Sequence, residues 1–167
     1  MLQIIFCNSV YNMKQHHYSL TVNWTGNTGT GTSGYKKYDR CHEIFIAGKE
    51  LINGSSDPSF NGDKSKWNPE ELLVASVSSC HMLWYLHFCA DAGIVVIDYK
   101  DEPKGMMLES ENGGGKFEEI ILYPTVTVLL EAMQETALSL HKKANEYCFI
   151  ANSLNFKISH KPLIRIN

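Results

Sequence analysis

Hydrophobic and polar positions alternate with period two from residue 17 to 24. Tyr18, Leu20, Val22 and Trp24 fall on one face, which predicts a half-buried strand. A turn-rich stretch, T-G-N-T-G-T-G-T-S-G, follows and ends at Gly34. No helix pattern and no G-K-[ST] come after it, so a hairpin connection accounts for its glycines better than a phosphate loop. A second strand is expected over residues 39–47, and residues 48–67 are polar and read as loop. Asn68-Pro69-Glu70-Glu71 then opens a helix: an Asn cap, a Pro in the first turn and two acids at the positive end of the dipole. The helix should run to Gly93, a good terminator. Its interior, L-L-V-A-S-V-S-S-C-H-M-L-W-Y-L-H-F-C-A, is apolar or small on nearly every face, which predicts burial all round. One sheet from a chain this short cannot supply that cover, so a partner subunit is expected.

The second half continues in the same way. A strand starts after Gly93 and is expected to run to Glu109, followed by a hairpin turn at Asn112-Gly113-Gly114-Gly115. The return strand covers residues 116–129, interrupted at Pro124. A second helix spans residues 133–147, with Ala137, Leu140, Ala144 and Tyr147 on one face. A short element at 149–154 leads into a last strand over 155–166. The order is ββαββαβ with antiparallel hairpins, an α+β arrangement rather than a doubly wound one.

Composition narrows the function classes. The 167 residues predict one domain. A formal net charge of -3 argues against a nucleic-acid binder. No uninterrupted run of 18 apolar residues is present, so no membrane span is expected. The N-terminus lacks a basic region of signal-peptide type. Met13 is a possible start, so residues 1–15 are set aside as an extension and residues 16–167 are taken as the domain. The five cysteines, Cys7, Cys41, Cys80, Cys89 and Cys148, have no zinc-like spacing. An odd count fits free thiols in a reducing cytosol, so a cytoplasmic protein without metal or cofactor is expected.

Taken alone, Cys80 in mid-helix reads as core, and so does Cys148. Cys89, nine residues after Cys80, faces the other way and is plain core. His81 and His87 are six apart and do not share a helix face, so they make a poor metal pair. His81 reads as a hydrogen-bonded core or interface histidine before it reads as a cation tuning Cys80. His16 and His17 read as solvated.

Two segments change that weighting. W-N-P-E-E-L-L-V-A-S-V-S-S-C, residues 67–80, resembles the first signature of the OsmC/Ohr family of thiol-dependent peroxidases. A-N-E-Y-C-F-I-A-N-S-L, residues 144–154, resembles the family's resolving-cysteine segment. The resemblance extends from about residue 17 to the end and includes the element order. It implies antiparallel sheets packed around long central helices in an intertwined homodimer. It also implies that Cys80 is the peroxidatic cysteine, that Cys148 resolves it as a disulfide, and that Glu70 holds the family's glutamate position. The family's arginine comes from the early hairpin region. Arg40 is the candidate, because the only other arginine, Arg165, sits at the extreme C-terminus. The implied substrates are organic hydroperoxides, and the implied reductant is an external dithiol, with lipoyl groups among the candidates.

The chemistry asks for those residue types. A thiol among apolar side chains is inert, so a cation must hold the thiolate. A guanidinium stays charged when desolvated and can serve a sulfur and a carboxylate together. Oxidation then runs through a sulfenic acid to a disulfide, which thiol exchange reduces. Leu73, Leu83 and Trp84 lie near Cys80 by helical spacing and favour an apolar substrate. Glu70 and Cys80 are ten residues apart, about 15 Å along one straight helix. Glu70 must therefore either precede the helix and fold back or act from a second subunit. His81 after the first cysteine and Phe149 after the second depart from the family's usual residues and mark a divergent branch. A non-enzymatic small-molecule or lipid binder of the same fold is the alternative, and a metal site including Cys80 and His81 is a third reading.

Overall fold

The computed structural model describes residues 14–167. Cys7, Met13 and most of the segment set aside as an extension lie outside the described residues. The first sheet is antiparallel in the order β1 (Thr21–Trp24), β2 (His42–Phe45), β3 (Ile52–Gly54). The glycine-rich stretch is the β1–β2 connection. Asn27 Oδ1 accepts the backbone N–H groups of Gly29 and Gly31, both of which take positive φ. The strand β3 falls inside the polar stretch expected as loop. It is held in place by Trp67, whose N–H donates to Asn53 at 3.2 Å and whose carbonyl accepts from Ser55 at 2.9 Å. The expected half-burial of β1 is corrected: among the described residues no element covers its apolar face, and Tyr18, just before it, is 91% exposed.

Helix α1 (Pro69–Asp91) begins where its cap chemistry dictates. Asn68 Oδ1 accepts the Glu71 N–H at 2.7 Å, and a Glu71 carboxylate oxygen accepts the Asn68 N–H at 3.1 Å. Gly93, at φ +70°, stops it. By length and composition alone α1 could cross a membrane. Here its stripe of Val77, His81, Tyr85, Phe88 and Cys89 is buried against the sheets and a second helix. The expectation of burial all round is not met within one chain. Only that stripe is covered, and Leu83 is 63% exposed.

Each long strand of the second half stops at a proline, which has no N–H for the ladder. Pro103 separates β4 (Val96–Lys100) from β5 (Lys104–Glu109). Pro124 separates β6 (Gly115–Leu122) from β7 (Thr125–Val128). Helix α2 (Gln134–Tyr147) and the short α3 (Phe149–Asn152) follow. Pro162 then separates β8 (Lys157–His160) from β9 (Leu163–Ile166). The halves keep their neighbours, so one sheet runs β4-β7-β9 and the other β5-β6-β8. The β6–β8 and β7–β9 pairs are parallel and the rest antiparallel. This is the α+β architecture expected, with three long strands each broken into two.

Side chains and backbone repair the break. Asp101 accepts the Tyr123 N–H at 2.7 Å on one carboxylate oxygen and the Ser78 hydroxyl at 2.5 Å on the other. One acid thus ties the sheet break to the middle of α1, two residues before Cys80. Two core clusters lie on either side, one around Tyr85, Phe88, Val126 and Val128, the other around Val77, Ile120 and Leu122. Asp101→Ala is expected to lower unfolding free energy by about 2–3 kcal/mol, the range for hydrogen bonds to a charged group. Urea denaturation measures it, and an unchanged midpoint would show that water replaces both bonds.

Candidate functional site

Cys80, half-buried in the middle of α1, lies beside Cys148, which joins the end of α2 to α3. Cys148 is buried, and its sulfur accepts the Ala151 N–H at 3.4 Å. Burial, with the Cys80 thiol beside it, pushes the Cys148 thiol up to about 12. It is therefore a protonated thiol at neutral pH and suits the second step of a two-thiol reaction rather than the first. Cys89 is buried deeper in the core beside Tyr85, and Cys41 lies beside Lys66.

Cys80 opens on a groove of about 780 Å³. Leu83, Trp84, Phe149 and Ile150 form its apolar walls, and Ser76, Ser79 and Ser153 add hydroxyls. Trp84 meets Phe149 edge-on at 5.6 Å. Of the three apolar residues expected here, Leu83 and Trp84 line the groove and Leu73 does not. Lys14 and His16 also line it, together with Tyr18. The sequence reading set Lys14 aside and took His16 as solvated, and it placed Tyr18 on the apolar face of the first strand. No carboxylate is part of this lining.

The single chain does not bring Arg40 or Glu70 to Cys80. The Arg40 guanidinium donates to the carbonyls of Tyr35 and Tyr38, both at 2.6 Å, and lies over both tyrosine rings, 4.5 and 4.3 Å from their centres. It lines a small hollow with Trp24, His42 and Pro69. Glu70 is the second residue of α1 and does not precede it, so the fold-back alternative is corrected: the capping box fixes the helix start at Pro69. Glu70 faces a separate groove of about 550 Å³ with Trp67, Val74, Met107 and Phe117. One of its carboxylate oxygens, Oε2, is buried with no hydrogen-bond partner among the described residues.

Behind the thiol pair lie three imidazoles. His81 is 1% exposed and His141 0%, and His81 Nε2 lies 3.0 Å from His141 Nδ1. The ring centres are 5.3 Å apart and the planes differ by 7°, so the rings meet edge to edge through one shared N–H···N bond. His160, from the end of β8, sits 5.5 Å from His81 and 6.0 Å from His141, centre to centre. Tyr85 stacks on His141 at 3.9 Å. His81 Nδ1, His141 Nε2 and His160 Nδ1 are buried without a partner among the described residues. Burial first, then the neighbouring His160, lowers His81 to about 4. Burial, then His81 and His160, lowers His141 to about 3, and burial lowers His160 as well. The cluster is neutral. His81 is thus the core histidine that the sequence suggested. His141 and His160 were missed there, and the one signal for His141 was its place between Ala137 and Ala144 on the apolar stripe of α2. Among the described residues, no group of three or more His, Cys, Asp or Glu side chains is arranged to hold a metal ion.

Comparison with known proteins places these features in context. The family described as OsmC-like protein matches residues 62–162. The uncharacterized protein YmaD of Bacillus subtilis (strain 168) is 26% identical over 149 residues, covering 85% of this chain and 89% of that protein. An OsmC-like protein of unknown function from Vibrio cholerae superposes with a TM-score of 0.80 at 26% identity, over 89% of this chain and all (100%) of the other. Two more distant structures share the fold. An organic hydroperoxide resistance protein from Elizabethkingia anophelis gives a TM-score of 0.64 at 20% identity, over 92% of this chain and 100% of that one. The organic hydroperoxide resistance protein OhrB of Bacillus subtilis gives 0.55 at 20%, over 89% and 98%.

The neutral imidazoles make a pH prediction. In the unfolded chain a histidine takes up its proton near pH 6.5, whereas the folded core resists it down to about 4 for His81. The unfolded state then binds more protons, so stability is complete above pH 6.5 and is lost as pH falls toward 4. His141→Gln should flatten this slope in thermal unfolding scans between pH 6.5 and 4. An equal slope in both proteins would place the acid sensitivity elsewhere.

Proposed function

The chain belongs to the OsmC-like protein family, and we propose that it is a two-cysteine thiol peroxidase that reduces organic hydroperoxides to alcohols. The carrying observation is that Cys80 lines an apolar groove with the buried Cys148 beside it. The names of the two organic hydroperoxide resistance proteins with this fold support the same reading. The Cys80 thiolate attacks one peroxide oxygen, so an S–O bond forms as the O–O bond breaks. The departing alkoxide takes a proton and leaves as alcohol. The Cys148 sulfur then attacks the Cys80 sulfenic acid, the S–S bond forms, and the hydroxyl leaves with the Cys148 proton as water. A dithiol restores both thiols by exchange. Half-burial suits Cys80 to attack, and the high-lying Cys148 thiol suits resolution.

In this reading the working unit is a homodimer. Among the described residues, the Leu83 face of α1 is open and the carboxylate of Glu70 carries a buried oxygen without a partner. A second copy that covers both that face and the separate Glu70 groove would give Glu70 its cation and bring a guanidinium, from Arg40, toward Cys80. That docking requires Arg40 to exchange its two carbonyl partners for a carboxylate and a sulfur.

One equivalent of cumene hydroperoxide should remove two titratable thiols from the wild type and none from Cys80→Ser. Cys148→Ser should lose one and accumulate a sulfenic acid that dimedone traps. An unchanged thiol count in the wild type would contradict the proposal and favour a non-enzymatic binder. The apolar groove adds a second expectation, a rate constant for cumene hydroperoxide at least about tenfold above that for hydrogen peroxide, since burying one aryl group contributes over 1.4 kcal/mol. Stopped-flow oxidation measures it, and equal rates would mean that the groove does not select.

A further inference from the structure

Cys80 and His81 are consecutive on α1, and Cys148 follows His141 by seven residues, two helical turns. One helix crossing therefore carries two contacts side by side, thiol to thiol and imidazole to imidazole. They differ in what they fix. A thiol is a weak donor and a weak acceptor, and it tolerates a wide range of approach. The imidazole bond is short and directional, with the nitrogens 3.0 Å apart and the rings within 7° of one plane. Turning α1 about its axis, or sliding it along α2, breaks this bond before it parts the thiols.

Breaking it is costly. Both rings are buried, Tyr85 of α1 stacks on one face of His141, and His160 of β8 stands beside both imidazoles. Among the described residues no carboxylate hydrogen-bonds to any of the three imidazoles. The freed nitrogens would be left without partners in a place water does not reach. A disulfide is exacting in turn, with Cβ atoms about 3.8 Å apart and a dihedral near 90°. We infer that His81 and His141 are positioning residues, whose shared hydrogen bond holds α1 and α2 in the rotational register where Cys80 and Cys148 can close a disulfide. The inference rests on the reading of those cysteines as a working pair. It gives His81, the residue that departs from the family's usual pattern after the first cysteine, a role that an apolar side chain could not fill.

The test uses the full chain without peroxide. The Cys80–Cys148 disulfide is brought to equilibrium with reduced and oxidised glutathione at pH 7, which yields the pair's effective concentration. His141→Leu keeps the volume and removes both nitrogens; His141→Asn keeps a polar atom near the position of Nδ1. The expected result is a drop of about tenfold in His141→Leu, with His141→Asn recovering much of it. A folded His141→Leu that closes as the wild type does overturns the inference and leaves the thiol pair standing. A wild type that forms no Cys80–Cys148 disulfide at any glutathione ratio overturns the pair itself. If His141→Leu does not fold, nitrogen NMR of the reduced wild type decides. A coupling between His81 Nε2 and His141 Nδ1 through the shared proton is expected, and independent titration of the two rings near pH 6.5 overturns the inference.

Discussion

Where α1 meets α2, Cys80 and His81 face Cys148 and His141, and the rest of the structure arranges itself around that crossing. The crossing must be rigid, because two thiols that are to form a bond cannot drift by even an ångström or so. It is also dry, and burial keeps the imidazoles neutral well below pH 6.5 and the Cys148 thiol protonated well above its ordinary range. The two sheets supply the dryness. Their inner residues, Ile120, Leu122, Val126 and Val128, are fully buried on either side of Pro124. The Asp101 carboxylate ties the proline break in the sheet to Ser78, one turn before His81. Sheet, helix and thiol are thus linked through one acid.

The same crossing explains a division of labour between the thiols. Cys80 stands at the groove wall and is half-buried, whereas Cys148 lies beneath it. In the proposed reaction a substrate meets Cys80 first, and the buried Cys148 thiol acts only once a sulfenic acid next to it offers a bond. The order of events follows from depth. The groove outside is apolar along Leu83, Trp84, Phe149 and Ile150, and Lys14 and His16 at the start of the described chain complete it. The site therefore includes a segment that looks dispensable in sequence.

Much of this was legible beforehand, and for identifiable reasons. The capping box at Asn68 and the stop at Gly93 are local chemistry, so α1 could be placed to within a residue or two. The cysteine pair was legible through two motifs on separate elements. The proline breaks were half legible: Pro124 announced itself inside an apolar run, whereas Pro103 and Pro162 lie among polar residues and only the sheet pairing reveals their equivalence. β3 was hidden because three residues carry no period. His141 and His160 were hidden because periodicity says which positions are buried and not which side chains meet there. Arg40 and Glu70 show the opposite failure. Both were singled out by residue type and resemblance, yet one chain keeps them apart from Cys80, because the capping box pins Glu70 to the first turn and two tyrosine carbonyls hold Arg40.

As a working pair, Cys80 and Cys148 of one chain should close on each other when the protein is oxidised. Peptide mapping of hydroperoxide-treated protein, digested without reductant and read by mass spectrometry, tests it directly. The expected result is the peptide bearing Cys80 recovered linked to the peptide bearing Cys148, in monomer-sized material. Recovery of Cys80 as a free thiol, or linked to Cys41 or to a second chain, would contradict it.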